Sequence, residues 1–118
     1  MRILNIDDST VNNMLMEHIL NSLGHETISV IEGSEAIEKI REYQPDVIIL
    51  DLMMPGKSGL DVLEDLRAEG IQTPVIVITA MNSHDLRNQA FALGAADYQP
   101  KPVNANSLQK RLEQVFQD

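Results

Sequence analysis

Val47-Ile48-Ile49-Leu50-Asp51 is the stretch of sequence that decides the fold. Four apolar residues follow one another without the polar alternation expected of a half-exposed strand. A strand that is apolar on both faces is typical of the centre of a parallel sheet, because helices cover both sides of it. The run therefore predicts a parallel α/β sheet, with a carboxylate at the carboxyl end of a central strand.

Similar runs and helical spacings extend in both directions from this stretch. The predicted strands are Arg2–Ile6, Thr27–Ile31, Val47–Leu50, Val75–Ile78 and a weaker Asp97–Gln99. Apolar residues recur at helical spacing between and after them: Val11, Leu15, Ile19 and Leu23, then Ala36 and Ile40, then Leu63 and Leu66, and finally Leu108, Leu112, Val115 and Phe116. This alternation predicts a doubly wound five-stranded parallel sheet of order 2-1-3-4-5, with helices on both faces.

Local signals agree with this division of the chain. Gly24, Gly70 and Gly94 fall where helices would end, a position that favours a left-handed residue. Ser58 followed by Asp61 predicts a capping box ahead of the third helix.

Length, composition and charge narrow the class of protein. The 118 residues are expected to form one domain, 1–118, without a linker, a repeat or a second domain. A hydrophobic fraction of 43% argues against a disordered chain, and the lack of cysteine excludes disulfides and cysteine-based zinc sites. The net charge of −9 disfavours nucleic acid and anionic membranes as partners. No apolar run approaches the roughly 18 residues of a membrane span, so we expect a soluble cytoplasmic protein.

Acidic residues occupy the edge of the sheet where this strand order places a ligand crevice. Asp7 and Asp8 follow the first strand, Asp51 ends the third, and these two strands are predicted neighbours. Two like charges about 4 Å apart repel by about 4 kcal/mol at an effective dielectric of about 20, so the cluster needs raised pKa values or a cation. Oxygen ligands without histidine or cysteine favour Mg²⁺ or Ca²⁺, and so few protein oxygens suit Mg²⁺ better.

Thr79 and Lys101 are predicted to lie on the same edge, after the fourth and fifth strands. Alone, the threonine would be an ordinary strand residue and the lysine an ordinary solvated one. A hydroxyl and an ammonium facing an acid cluster together predict a site for a tetrahedral oxyanion.

Several short motifs occur in a fixed order along the chain. They are Asp7-Asp8, Asp51-Leu52-Met53-Met54-Pro55 with Gly59, Thr79-Ala80, Gly94-Ala95-Ala96-Asp97-Tyr98, and Lys101-Pro102. In this order and spacing the sequence resembles the receiver domain of bacterial two-component response regulators, over essentially its whole length.

The resemblance implies a chemical role for the acid cluster. Asp51 would be the nucleophile that takes a phosphoryl group from a phosphohistidine and forms an acyl phosphate. Asp8 and Asp51 would ligate Mg²⁺ directly, Asp7 would act through water, and the Met53 carbonyl would complete the protein ligands. A carboxylate is already ionised at neutral pH, so this nucleophile needs no general base, and phosphoryl transfer depends mainly on positioning and charge neutralisation.

The resemblance also implies how the phosphoryl group is sensed. Lys101 would pair with the phosphoryl oxygens and Thr79 would hydrogen-bond them, while Tyr98 would turn inward as Thr79 moves. This movement would shift a two-state equilibrium on the face formed by the fourth helix, fifth strand and fifth helix. The Lys101-Pro102 peptide is expected to be cis, as in relatives.

The partners that the resemblance implies are a sensor histidine kinase or a phosphotransfer protein as phosphoryl donor. A downstream protein or output domain would bind the face of the fourth helix, fifth strand and fifth helix, and a phosphorylation-dependent dimer is compatible with this arrangement. The domain would catalyse its own phosphorylation and dephosphorylation without being a turnover enzyme.

Three other interpretations compete with this one. An aspartyl-nucleophile phosphatase usually carries a second acid two residues after the nucleophile, where this chain has Met53. A flavodoxin-like FMN module needs a phosphate loop and stacking aromatics, yet aromatic content is 3%. A receiver-like domain that no longer accepts phosphoryl groups is disfavoured because every acceptor-site residue is present.

Overall fold

Five strands alternate with five helices in the computed structural model, which describes residues 1–81 and 83–115. The strands are β1 (Arg2–Ile6), β2 (Glu26–Val30), β3 (Val47–Leu50), β4 (Val75–Thr79) and β5 (Asp97–Pro100). The helices are α1 (Thr10–Ser22), α2 (Ala36–Tyr43), α3 (Gly59–Ala68), α4 (His84–Ala92) and α5 (Ala105–Val115), and a 3₁₀ turn, Gly33–Glu35, precedes α2. Phe116, expected on the last helix, lies outside the described residues.

All neighbouring strands are parallel, in the order β2-β1-β3-β4-β5. The predicted fold class and strand order are therefore confirmed. Ile6 pairs with Leu50 across β1 and β3, and the N–H of Asp51 donates to the Ile6 carbonyl at 3.0 Å. Because the two strands end at the same level, Asp7 and Asp51 follow them side by side.

The residues of β3 are buried on both faces of the sheet, as the apolar run Val47–Leu50 predicts. Ile48 and Leu50 pack into a core with residues of α2 and α3, whereas Val47 and Ile49 pack into a second core with residues of α1 and α5. Each of the four is at most 2% exposed. The sheet is thus covered on both sides, and its central strands are held firmly below the carboxyl-end loops.

Three strands differ slightly from their predicted bounds. β2 runs one residue earlier, because Glu26 pairs with Arg2 at the start of β1, and Ile31 lies beyond its end, half exposed. β4 and β5 each extend by one residue because Thr79 pairs with Pro100. Register with the neighbouring strand decides these ends, and a single segment of sequence does not reveal it.

Helix α1 forms where its apolar spacing predicts, but those residues are not its buried face. Val11 and Leu15 are 66% and 59% exposed, while Asn13, Met16 and Leu20 are buried. The helix is rotated so that the Asn13 amide faces β1, where it finds hydrogen-bond partners. Ile19 is partly buried against the core that contains Leu20.

The predicted helix ends are confirmed. Ser58 and Asp61 exchange the two hydrogen bonds of a capping box at the start of α3. Gly24, Gly70 and Gly94 have φ angles of +90°, +75° and +88°, so each takes the left-handed conformation after a helix. Within residues 1–81 and 83–115, no helix has the length and apolar character needed to cross a membrane.

Candidate functional site

Two buried carboxylates lie side by side at the carboxyl ends of β1 and β3. In each, one oxygen accepts a hydrogen bond from the backbone N–H two residues further on. Asp7 Oδ1 accepts from Ser9 at 2.9 Å, and Asp51 Oδ1 accepts from Met53 at 2.9 Å. These bonds fix both carboxylates, and the second oxygen of each faces one shared cation.

That cation is the ammonium group of Lys101, in the loop after β5. Its Nζ donates to Asp7 Oδ2 at 3.0 Å and to Asp51 Oδ2 at 2.8 Å. The Lys101 N–H donates to the Thr79 carbonyl at 2.8 Å, and the following Lys101-Pro102 peptide is cis, as expected. The loop therefore places the lysine side chain between the two carboxylates.

Two opposing effects act on the pKa of Lys101. Burial lowers it, but the hydrogen bonds and the attraction of Asp51 and Asp7 outweigh burial and raise the pKa above its ordinary value of 10.5. The lysine thus stays charged at neutral pH although only 24% of its side chain is exposed. A permanent positive charge beside Asp51 is what an incoming oxyanion requires.

We expect Lys101 to stabilise the fold most strongly below pH 10.5, its ordinary pKa. The raised folded-state pKa means that this stabilisation is lost as the pH rises through that value. The difference in unfolding free energy between wild type and Lys101→Met should be constant near neutral pH and shrink above pH 10.5. Urea unfolding at a series of pH values measures it. The exposed Lys110→Met variant is the control, and an equal pH trend there would contradict the prediction.

Asp8 is placed differently from its two partners in the predicted cluster. Its side chain is exposed, while Asp7 and Asp51 are joined through Lys101. In the described part of the chain, no three histidine, cysteine or acidic side chains are already arranged as a metal-binding group. The two buried carboxylates instead share the Lys101 ammonium group.

The same residues nevertheless suit a hard divalent cation. Asp7, Asp8 and Asp51 carry three negative charges in two adjacent loops, and the Lys101 ammonium, which contacts Asp7 and Asp51, balances one of them. All the donors are oxygens, and the exposed Asp8 carboxylate follows Asp7 directly. Mg²⁺ prefers such a set and keeps several of its waters, so few protein oxygens are enough.

Thr79 and Tyr98 both bind the loop between β4 and α4. The buried Thr79 hydroxyl accepts a hydrogen bond from the Met81 N–H at 3.3 Å, and the Tyr98 hydroxyl donates to the Met81 carbonyl at 2.7 Å. Tyr98 already points inward, only 6% exposed, with the Thr79–Met81 contact in place. Burial raises the pKa of the Tyr98 phenol, which therefore remains a donor.

Two asparagines that the sequence reasoning missed lie just beneath the site. Asn5 on β1 and Asn13 on α1 are each 3% exposed. Asn5 Nδ2 donates to Asn13 Oδ1 at 2.5 Å, and Asn13 Nδ2 donates to the Asp7 carbonyl at 2.8 Å. The sequence offered one indication of this pair, because Asn5 is a polar residue inside the otherwise apolar run Ile3–Ile6.

Comparisons with known proteins agree on one family. The sequence profile described as "Response regulator receiver domain" matches residues 3–113. The two-component response regulator PhoP of Pseudomonas aeruginosa is 31% identical over 116 residues, which are 98% of this chain and 52% of PhoP. The cell cycle transcriptional regulator CtrA of Caulobacter vibrioides is 34% identical over 98% of this chain and 50% of its own length. The chain spans about half the length of such relatives.

Solved structures show the same fold. The Vibrio cholerae chemotaxis protein CheY4 superposes with a TM-score of 0.91 at 30% identity, covering 98% of each chain. The BeF3-activated N-terminal receiver domain of Klebsiella pneumoniae RstA also reaches 0.91, at 28% identity, covering 99% of this chain and all of that one.

Proposed function

The chain belongs to the response regulator receiver domain family, and on that premise we propose that Asp51 is the phosphoryl acceptor of this signalling switch. The observation that carries the proposal is the pair of hydrogen bonds from Lys101 to Asp7 and Asp51. Asp51 Oδ1 is held by the backbone, so Oδ2 is the oxygen free to react once Lys101 shifts to the phosphoryl group.

In the proposed transfer, Asp51 Oδ2 forms a bond to the phosphorus of a donor phosphohistidine. The bond from phosphorus to the imidazole nitrogen breaks, and its electron pair stays on that nitrogen. Lys101 neutralises the phosphoryl oxygens, and Thr79 donates its hydroxyl to one of them. Asp7, Asp8, Asp51 and the Met53 carbonyl would hold Mg²⁺, which when bound supplies further neutralisation of the phosphoryl oxygens.

The signal would leave the site through the loop between β4 and α4. If Thr79 turns toward a phosphoryl group, its bond to the Met81 N–H is lost, while Tyr98 still holds the Met81 carbonyl. The change would bias the surface of α4, β5 and α5, where a downstream protein or output domain would bind. We propose that residues 1–118 form one such receiver in the cytoplasm, acting as a switch without turnover.

We propose that the phosphoryl donor is a histidine kinase or a phosphotransfer protein that docks through a helix. An apolar groove beside the site supports this proposal. The groove of about 310 Å³ lies beside Asp7 and Lys101 and is otherwise lined mainly by apolar side chains of α1 and of the segment after β5. Leu15 lines this groove and is exposed, and Val11 and Met14 are further exposed apolar residues of α1. A donor docked there would reach the buried Asp51 from the side of the Lys101 loop.

Incubation with a small phosphodonor tests the proposed function directly. With Mg²⁺ and acetyl phosphate, intact-mass spectrometry should show one added phosphoryl group per chain, and removing Mg²⁺ with a chelator should prevent it. A wild-type chain that gains no mass would instead support a receiver-like domain that no longer signals by phosphorylation. If the chain instead hydrolyses many equivalents of acetyl phosphate and no phosphorylated mass accumulates, the result would support the phosphatase alternative.

Two exposed methionines should prolong the life of the phosphoryl group. Met53 and Met81 follow Asp51 and Thr79 by two residues and are 52% and 37% exposed. Apolar side chains there cannot orient an attacking water, so we expect Met53→Asn with Met81→Glu to hydrolyse about tenfold faster, a barrier lower by about 1.4 kcal/mol. Decay of the phosphorylated mass after donor removal measures this. Met14→Gln on α1 is the control, and an unchanged half-life in the double variant would refute the hypothesis.

A further inference from the structure

A chain of two buried amides runs from strand β1 to the loop that carries Asp7 and Asp8. It starts at Asn5 on β1, passes through Asn13 on α1 and ends on the Asp7 carbonyl oxygen. This position would ordinarily hold apolar residues, because Ile3 and Ile6 beside Asn5 are fully buried, as is Leu20 on the same side of α1. The amides must therefore be explained by what they bind.

The direction of the two hydrogen bonds follows from the last acceptor. A peptide carbonyl can only accept, so Asn13 must present its Nδ2 to Asp7 and its Oδ1 to Asn5. Asn5 must then present its own Nδ2. Each amide thereby fixes the orientation of the next, and a single arrangement satisfies the pair.

The bond to the Asp7 carbonyl also determines where Asp8 lies. The peptide unit is planar, so a hydrogen bond that fixes the Asp7 carbonyl fixes the nitrogen and Cα of Asp8. The other side of Asp7 is already held, because its N–H donates to the Val30 carbonyl at 3.1 Å. Without Asn13, the loop could turn its carboxylates apart and relieve their repulsion from Asp51.

We propose that Asn13, supported by Asn5, is a positioning residue that holds the Asp7–Asp8 peptide so that both carboxylates face the Mg²⁺ position. The inference rests on the proposed function, because it assigns these amides to the metal site of the phosphoryl-accepting switch. Its role resembles the outer hydrogen bonds of other metal sites, whose removal lowers metal affinity about 10- to 100-fold.

The test replaces both amides by leucine, which has a similar size and removes both partners of the Asn5–Asn13 bond, so only the Asp7 carbonyl oxygen loses its donor. Removing both partners of a buried hydrogen bond can be nearly neutral for folding. Because the Asp7 carbonyl loses its donor, we expect Asn5→Leu/Asn13→Leu to fold without Mg²⁺ but to unfold at a lower midpoint than wild type. The folded variant should bind Mg²⁺ about 10- to 100-fold more weakly by calorimetric titration. Phosphorylation by acetyl phosphate should need correspondingly more Mg²⁺ and regain the wild-type rate at saturation.

Two further variants keep the test decisive. The single variant Asn5→Leu retains the bond from Asn13 to the Asp7 carbonyl, so it should lose less Mg²⁺ affinity than the double variant. If the double variant does not fold, the Mg²⁺ affinity of Asn5→Leu is compared with that of wild type instead. Leu20→Ala, on the same face of α1, should lower the unfolding midpoint without changing the Mg²⁺ affinity of the folded chain. An equal loss of affinity in Leu20→Ala would overturn the inference, since any destabilisation would then have the same effect.

The outcomes separate this inference from the proposed function. If wild type binds Mg²⁺ and is phosphorylated, and the Asn5 and Asn13 variants bind Mg²⁺ equally well, the positioning role is wrong and the switch stands. If wild type binds no Mg²⁺, the proposed metal site is wrong and the positioning role falls with it.

Discussion

Asp51→Asn should abolish phosphorylation completely, with no mass increase at any concentration of acetyl phosphate and Mg²⁺. The carboxamide is uncharged and a much weaker nucleophile than the carboxylate, so no acyl phosphate can form. The variant should still fold, because asparagine has the same shape and its Oδ1 can still accept from the Met53 N–H. Lys101 also keeps its bond to Asp7. Intact-mass spectrometry measures the loss of phosphorylation, and circular dichroism shows whether the variant is folded.

A matched aspartate separates this effect from a general loss of charge. Asp65 on α3 pairs with Lys57 at the surface, with 39% of its side chain exposed. Asp65→Asn removes the same charge far from the reacting oxygen, and we expect it to accept the phosphoryl group as wild type does. An adduct on Asp51→Asn would show that another residue is the acceptor, and peptide mapping would then identify it.

Among the glycine-to-alanine substitutions in this chain, Gly59→Ala should cause the largest loss of stability. A Cβ at Gly59 would lie 2.5 Å from Leu52 Cα and closer still to the Asp51 carbonyl oxygen, which are backbone atoms that cannot rotate away. Overpacking a core costs about 1–3 kcal/mol and occasionally more, and we expect at least about 3 kcal/mol here. Urea unfolding followed by circular dichroism measures the change.

The matched control for Gly59 is Gly70→Ala. Gly70 has open space around the position of a Cβ, but its φ of +75° is left-handed, so alanine there carries only conformational strain. That strain costs about 1–2 kcal/mol. Because Gly59 packs the start of α3 directly against the backbone of Asp51 and Leu52, its variant should also slow phosphorylation, whereas Gly70→Ala should not. Equal losses of stability would show that the close approach at Gly59 is relieved cheaply.

The sequence determined the sheet and the position of the proposed acceptor, Asp51. Val47–Leu50 has no polar residue, which predicts a strand covered on both faces, and parallel order then put Asp51 beside Asp7. These features follow from local periodicity and from rules on strand connection, which act on any chain with this pattern. Gly24, Gly70 and Gly94 marked their helix ends for an equally local reason, the left-handed backbone.

Tertiary structure alone decided how the side chains of the site are arranged. Asp7 and Lys101 are 94 residues apart in sequence, and their bond exists because β1, β3 and β5 end on one edge of the sheet. The buried face of α1 likewise passes through Asn13 instead of the more apolar Leu15, because Asn13 meets Asn5 and the Asp7 carbonyl across the core. Periodicity describes one segment at a time, whereas such contacts depend on which polar groups two distant segments present to each other.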